Sequence, residues 1–185
     1  MGSSNTVVKT PEGKLIGYNT DGSGFYRSLL EEGKIKPEQC VFFCFGGGGA
    51  GRAMCSVLAY HGARKIYITD KFEQCAKDLV DDINKNFAPV AEFVPYGDYS
   101  KIAACDVVLN ASGIGMGKTI GQTPVPKEHL SKGQLCFDAC YNPARTQFLM
   151  DAEANGCRVL NGLGMSLYQG CLLYTSPSPR DRSLS

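Results

Sequence analysis

An α/β fold, wound on both faces of a parallel sheet, is what this sequence predicts, and three observations carry the prediction. Val41 to Phe45 (VFFCF) is a short apolar run closed by glycines, which suits a buried strand better than a helix. Gly46, Gly48 and Gly51 then fall in G-x-G-x-x-G spacing, and Arg52 to His61 continues in helix-forming residues. Lys65 to Asp70 (KIYITD) reads as a second strand with an acidic residue at its end. Strand, glycine turn, helix, strand and terminal acid make up the dinucleotide-binding fingerprint, so a Rossmann-like doubly wound sheet is expected.

Each part of the fingerprint has a physical reason. The first glycine permits a tight turn, the second lets backbone approach a pyrophosphate, and the third lets the helix pack closely on the strand. Gly46, Gly47, Gly48, Gly49 and Ala50 are therefore expected along the diphosphate, facing the N–H groups and positive end of the helix. A flexible GGGG linker is the bland alternative, but linkers are not flanked by a strand and a helix in matching register.

Composition bounds the rest. With 185 residues, 43% of them hydrophobic, and a net charge of +1, the chain reads as one globular domain plus a small appendage. The balanced charge argues against nucleic acid or a membrane surface as partner. No run approaches the ~20 apolar residues of a membrane span, and the first residues lack the apolar core of a signal peptide. The nine cysteines are odd in number and contain no CxxC pair. No metal site is expected, and a reducing, cytoplasmic location is. His61 and His129 are expected at the surface.

Along the chain, Val7 to Thr10 and Lys14 to Tyr18 are strand-like runs joined by the turn Pro11-Glu12-Gly13. Asp21 or Ser23 is a candidate cap for a helix through Phe25, Leu29 and Leu30. Beyond Asp70, apolar residues at Ala76, Leu79, Val80 and Ile83 mark a helix over Phe72 to Phe87. Strands follow at Ala91 to Pro95, Asp106 to Ala111, Gln134 to Ala139 and Arg158 to Leu160, with helices at Thr146 to Asn155 and from Met165. Such alternation implies parallel strands with helices on both faces. Residues 174–185 (YTSPSPRDRSLS) break the pattern and read as a disordered tail, foreign or native.

Several stretches taken together resemble the shikimate dehydrogenase family, including its quinate/shikimate relatives. They are Asn5-Thr6-Val7, GYNTDGSGF (17–25), GGGGAGRA (46–53), DVVLNASGIGM (106–116), DACYNPARTQFL (138–149) and GLGMSLYQG (162–170). The resemblance implies an oxidoreductase of the shikimate pathway that exchanges a hydride between a ring hydroxyl of shikimate or quinate and a nicotinamide cofactor. It implies that Asp21 is catalytic, working with a lysine, and that Asn5, Tyr141 and Gln169 contact substrate. It also implies that Asn110, Ala111 and Ser112 lie along the cofactor and that Gly164 and Met165 line the nicotinamide. Where the family commonly has Thr-Pro, this chain has Ser112-Gly113, a change expected to loosen that loop.

In the family the catalytic lysine and the substrate-binding half lie upstream of the Asn-Thr-Val motif. Only four residues precede Asn5 here, and Lys9 follows the motif. The chain is therefore expected to be a fragment: residues 1–20 a remnant of the substrate-binding domain and residues 21–173 the cofactor domain. The family also admits a homodimer at full length. Asp70 favours NAD, because a carboxylate there accepts from ribose hydroxyls and repels a 2′-phosphate. Lys71 leaves NADP open. Two alternatives stand beside the enzyme reading: a nucleotide-binding or regulatory module that lost catalysis, and a dehydrogenase of another small polar substrate.

Overall fold

The computed structural model describes residues 5–175, with backbone only for residues 172–175. The expected tail falls outside the described residues from 176 onward. The chain opens with a hairpin of β1 (Thr6–Lys9) and β2 (Leu15–Tyr18), an antiparallel pair that forms its own small sheet. Helix α1 (Thr20–Glu31) follows. Neither Asp21 nor Ser23 is its cap: Asn19 holds that place, its side chain accepting from the Gly22 N–H at 3.2 Å. The helix thus starts two to four residues earlier than expected, which puts Asp21 inside the first turn with its carboxylate available for other work.

Six parallel strands build the main sheet. In chain order they and their helices are β3 (Val41–Phe45), α2 (Gly49–Tyr60), β4 (Lys65–Thr69), α3 (Glu73–Asn86), β5 (Ala91–Phe93), β6 (Val107–Asn110), β7 (Leu135–Asp138), α4 (Gln147–Ala154), β8 (Arg158–Asn161) and α5 (Leu163–Thr175). Across the sheet the order is β5-β4-β3-β6-β7-β8, every neighbour parallel. The chain winds outward from β3 in one direction, then returns to its other side at β6. That reversal opens a crevice at the carboxyl ends of β3 and β6, where ligands of open α/β sheets bind.

The unbroken run VFFCF is explained by burial on both faces. Phe42 and Cys44 join one apolar cluster with Phe25, Leu58, Ile68, Leu79 and Phe137, under α1, α2, α3 and α5. Phe43 and Phe45 join a second on the opposite face. The two faces are covered unequally. α4 is the α-helix that packs on the second face among the described residues, and Val94, Val125 and Leu130 from loops, with Ile102 from a short 3-10 turn, close the remainder of that cluster. Among the described residues, no helix is long and apolar enough to cross a membrane.

The cysteines behave as small apolar residues: Cys44, Cys55 and Cys136 are fully buried, and the burial of Cys136 holds its thiol above its usual range. The two histidines lie partly covered against aromatic rings. His61 stacks flat on Tyr26 with ring centroids 3.7 Å apart, and His129 lies 4.7 Å from the Tyr99 ring. Both are half-buried.

Helix α1 approaches α5 closely because Gly24 has no side chain: a Cβ there would sit 2.5 Å from the Met165 carbonyl and 2.8 Å from the Gln169 nitrogen. Phe25, edge-on to Phe137 at 4.9 Å, anchors the same helix in the core. Gly24→Ala therefore tests whether packing outweighs propensity. Helix propensity alone would stabilise by up to about 1 kcal/mol, whereas overpacking costs about 1–3 kcal/mol. Net destabilisation in urea unfolding is the expected result.

Candidate active site

Two clefts meet at the carboxyl edge of the sheet, one on each side of the glycine loop. The loop owes its shape to contacts that exclude side chains. Gly46 has φ +108°, a conformation that L side chains rarely adopt, and a Cβ there would lie 2.7 Å from the Ala111 backbone. At Gly51 a Cβ would strike the Gly46 carbonyl at 1.8 Å, so α2 begins directly on the loop. Gly48, by contrast, has nothing within 4 Å of where its Cβ would be. That open position adjoins the first turn of α2, which carries no acidic residue and has no side-chain cap. Free N–H groups and the positive helix end there suit an anion.

The first cleft, about 250 Å³, is lined by Gly46, Gly48, Asp70, Phe72, Ala111 and Ser112, among others. The Asp70 carboxylate is part of its framework. One oxygen accepts from the Gly47 N–H at 2.7 Å and the other from the Phe72 N–H at 2.8 Å. Asp70 thereby ties the glycine loop to the end of β4. Across the cleft, Asn110 is fully buried and donates to the Ile114 carbonyl at 2.8 Å and to Asp138 at 3.0 Å. The Ser112 hydroxyl donates back to Asn110 at 2.7 Å, and the Ser112 N–H is held by the same oxygen at 3.2 Å. Within this turn the serine hydroxyl of Ser112-Gly113 is tied to Asn110.

The second cleft, about 260 Å³, brings together Asp21, Ala50, Tyr141, Met165 and Gln169 from four distant stretches of chain. Asn5 organises its rim. The Asn5 amide donates to Asp21 at 2.8 Å and Thr20 at 3.0 Å, and reaches Gln169 at 3.4 Å. The Thr20 hydroxyl donates to Gln169 at 3.1 Å, closing the network. Tyr141 is half exposed at the cleft wall. Gly164 does not line either cleft. It packs on the end of α1, where a Cβ would meet Glu32 at 2.0 Å, while Met165 faces the cleft. Gly49 is the first residue of α2, opposite no close neighbour.

Two residues of this region escape sequence reasoning. Thr20 sits inside the quoted GYNTDGSGF stretch but takes part through its hydroxyl, which only the folded network reveals. Asp138 is fully buried at the end of β7 and receives Thr146 Oγ1 at 2.6 Å, the Cys140 N–H at 2.9 Å and Asn110 Nδ2. Burial raises its pKa and these three donors oppose the rise. A signal existed: Asp138 pairs in register with Asn110, so two apolar strands end in polar residues side by side.

The raised pKa of Asp138 has a definite sign in stability. The unfolded chain ionises first, near the ordinary carboxylate value of about 3.9. The contribution of Asp138 to stability is thus fully present below that value and is lost as pH rises through the higher folded value. Asp138→Asn keeps the acceptor for Cys140 and Asn110 and has nothing to ionise. Urea unfolding of the two forms between about pH 4 and 8 should show this part of the decline in the parent and its absence in the variant.

Among known proteins, the chain is 39% identical over 178 residues to the shikimate dehydrogenase (NADP(+)) of Desulforamulus reducens, covering 94% of this chain and 61% of that protein. It superposes on a shikimate 5-dehydrogenase from Listeria monocytogenes, solved with shikimate and NAD, at a TM-score of 0.87 and 32% identity, covering 98% of this chain and 66% of that one. The quinate dehydrogenase of Corynebacterium glutamicum, solved with NAD, gives 0.83 and 33%, with 98% and 67% covered. No family model matches the chain. It spans about 60% of the length of the curated relatives it matches. With the parallel sheet in this order, the glycine loop and this likeness, the chain belongs to the shikimate/quinate dehydrogenase family.

Proposed function

We propose that this chain carries the cofactor site and one wall of the substrate site of a dehydrogenase acting on shikimate or quinate. The observation that carries this reading is the convergence of Asn5, Asp21 and Gln169 on one cleft that also contains Ala50 of the nucleotide-binding helix. The chemistry fits the residue types. A nicotinamide, when bound, accepts the hydride lost from a ring carbon. Asp21 supplies a carboxylate with one oxygen fixed by Asn5, suited to orient the reacting hydroxyl or the amine that takes its proton. Asn5, Thr20, Tyr141 and Gln169 offer the mixed donors and acceptors that a polyhydroxylated ring acid needs.

The glycine loop, α2 and the Ala111-Ser112 turn hold the cofactor diphosphate in this reading, with the open face at Gly48 as the closest approach. Asp70 sets the preference for NAD. Each of its oxygens has a lone pair left after bonding Gly47 and Phe72, enough to accept ribose hydroxyls, and its charge opposes a 2′-phosphate. A second reading, nucleotide binding without catalysis, is favoured by one observation: among the described residues, no lysine lines the Asp21 cleft.

Nicotinamide reduction with shikimate and quinate, each with NAD and NADP, separates the two. Turnover that falls by about 10²–10⁴-fold in Asp21→Asn supports the dehydrogenase; NADH binding without turnover fits a cofactor half, and supports the module where turnover stays absent after the substrate-binding half of a relative is added. Gly48→Ala should leave urea stability within about 0.5 kcal/mol yet weaken NADH binding. Asp70→Asn should narrow the NADH-over-NADPH ratio of dissociation constants by about tenfold, the value of removing one repulsive charge.

A further inference from the structure

Between the two clefts lies a carboxylate that touches neither. Asp138 is fully buried at the end of β7 and is absent from both linings. Its Oδ1 accepts from Asn110 Nδ2 at 3.0 Å and from the Cys140 N–H at 2.9 Å, which uses both lone pairs of that oxygen. Its Oδ2 is anchored by the Thr146 hydroxyl at 2.6 Å. On one side Asn110 holds the N–H and hydroxyl of Ser112, and so fixes the turn that walls the first cleft. On the other side Cys140 precedes Tyr141, and its carbonyl accepts from the Gly162 N–H at 3.0 Å. Tyr141 and Gly162 both line the second cleft. A weaker tie runs alongside: the Ile114 carbonyl accepts from Asn110 Nδ2 at 2.8 Å and from Cys140 Sγ at 3.9 Å.

A buried oxygen with two donors has no water to exchange them for, and a donor left unpaired there is costly. When the Ser112 turn is displaced, Oδ1 either follows Asn110 or abandons it. The Thr146 anchor on Oδ2 confines the following motion to a pivot, which is felt at the Cys140 amide. We propose that Asp138 is a positioning residue that couples the two clefts: a nucleotide settling on the Ser112 turn moves Asn110, the shared oxygen follows, and the Cys140 amide resets the Tyr141 wall. The inference rests on the cofactor reading above and names how occupancy of the first cleft reaches the second. Such coupling is reciprocal, so a ring acid held against Tyr141 changes the affinity for the nucleotide by the same factor.

The test is nuclear magnetic resonance of the chain labelled at its tyrosine amides, with the Tyr141 signal assigned from Tyr141→Phe. The probe is ADP-ribose, which has no nicotinamide to reach the second cleft, and melting temperatures are read alongside. At saturation the Tyr141 signal should shift in the parent and in Asp138→Asn, which keeps an acceptor for Asn110 and Cys140. Asp138→Leu should bind ADP-ribose and lose the shift. Asn110→Ala, which cuts the path at its other link, should lose it too and serves if Asp138→Leu does not fold. Thr146→Val frees only Oδ2, so it should melt below the parent yet keep the shift, a split that a merely structural role would not produce. Three results would overturn the coupling and leave the cofactor reading standing: a parent-sized shift in Asp138→Leu or Asn110→Ala, no shift in a parent that binds, or loss of the shift in step with melting temperature across all variants. Failure of the parent to bind ADP-ribose, NAD or NADP would overturn both.

Discussion

Four strands of the main sheet end in an Asp or Asn that bends the chain in the same way. Asp70 takes the Phe72 N–H, Asn110 the Ser112 N–H, Asp138 the Cys140 N–H and Asn161 the Leu163 N–H, each two residues on and between 2.8 and 3.2 Å. Short polar side chains that mimic a backbone turn let an apolar strand stop without orphaning the next amide. Because the strands are parallel, all four turns fall on one edge of the sheet. Both clefts lie along that edge, and their shape depends on this row of turns more than on any single loop.

The row also links the loops to one another. Asp70 reaches sideways to the Gly47 N–H, and Asn110 reaches sideways to Asp138, which in turn holds Thr146 at the start of α4. Asn161 starts α5, the helix that brings Met165 and Gln169 to the Asp21 cleft. A bond broken at one turn would therefore shift groups on its neighbours. Buried networks of this kind are costly when half satisfied, and the central one is satisfied at every donor named here.

Much of this was legible in the chain. The glycine spacing, the five-residue apolar strand and the terminal Asp70 led to the parallel sheet and the place of the crevice, because strand period and glycine sterics act locally. The motif resemblance brought Asn5, Asp21, Tyr141 and Gln169 forward, and four of these stretches do converge at one cleft. Less legible were the details set by neighbours far away in sequence. Asn19 rather than Asp21 caps α1, Gly164 turns toward Glu32, and the Ser112 hydroxyl bonds Asn110. Each depends on which side chain lies within about 3 Å after folding.

Sequence by itself determined the strand and helix alternation, the glycine turn and the acidic end of β4, since these follow from local sterics, period and charge. Only the tertiary structure decided that Asn5 and Gln169, 164 positions apart, share a hydrogen-bond network with Asp21. It alone decided that Asn110 and the Cys140 amide share one buried oxygen of Asp138. Burial and partnership are properties of packed neighbours, and a chain read in one dimension does not contain them.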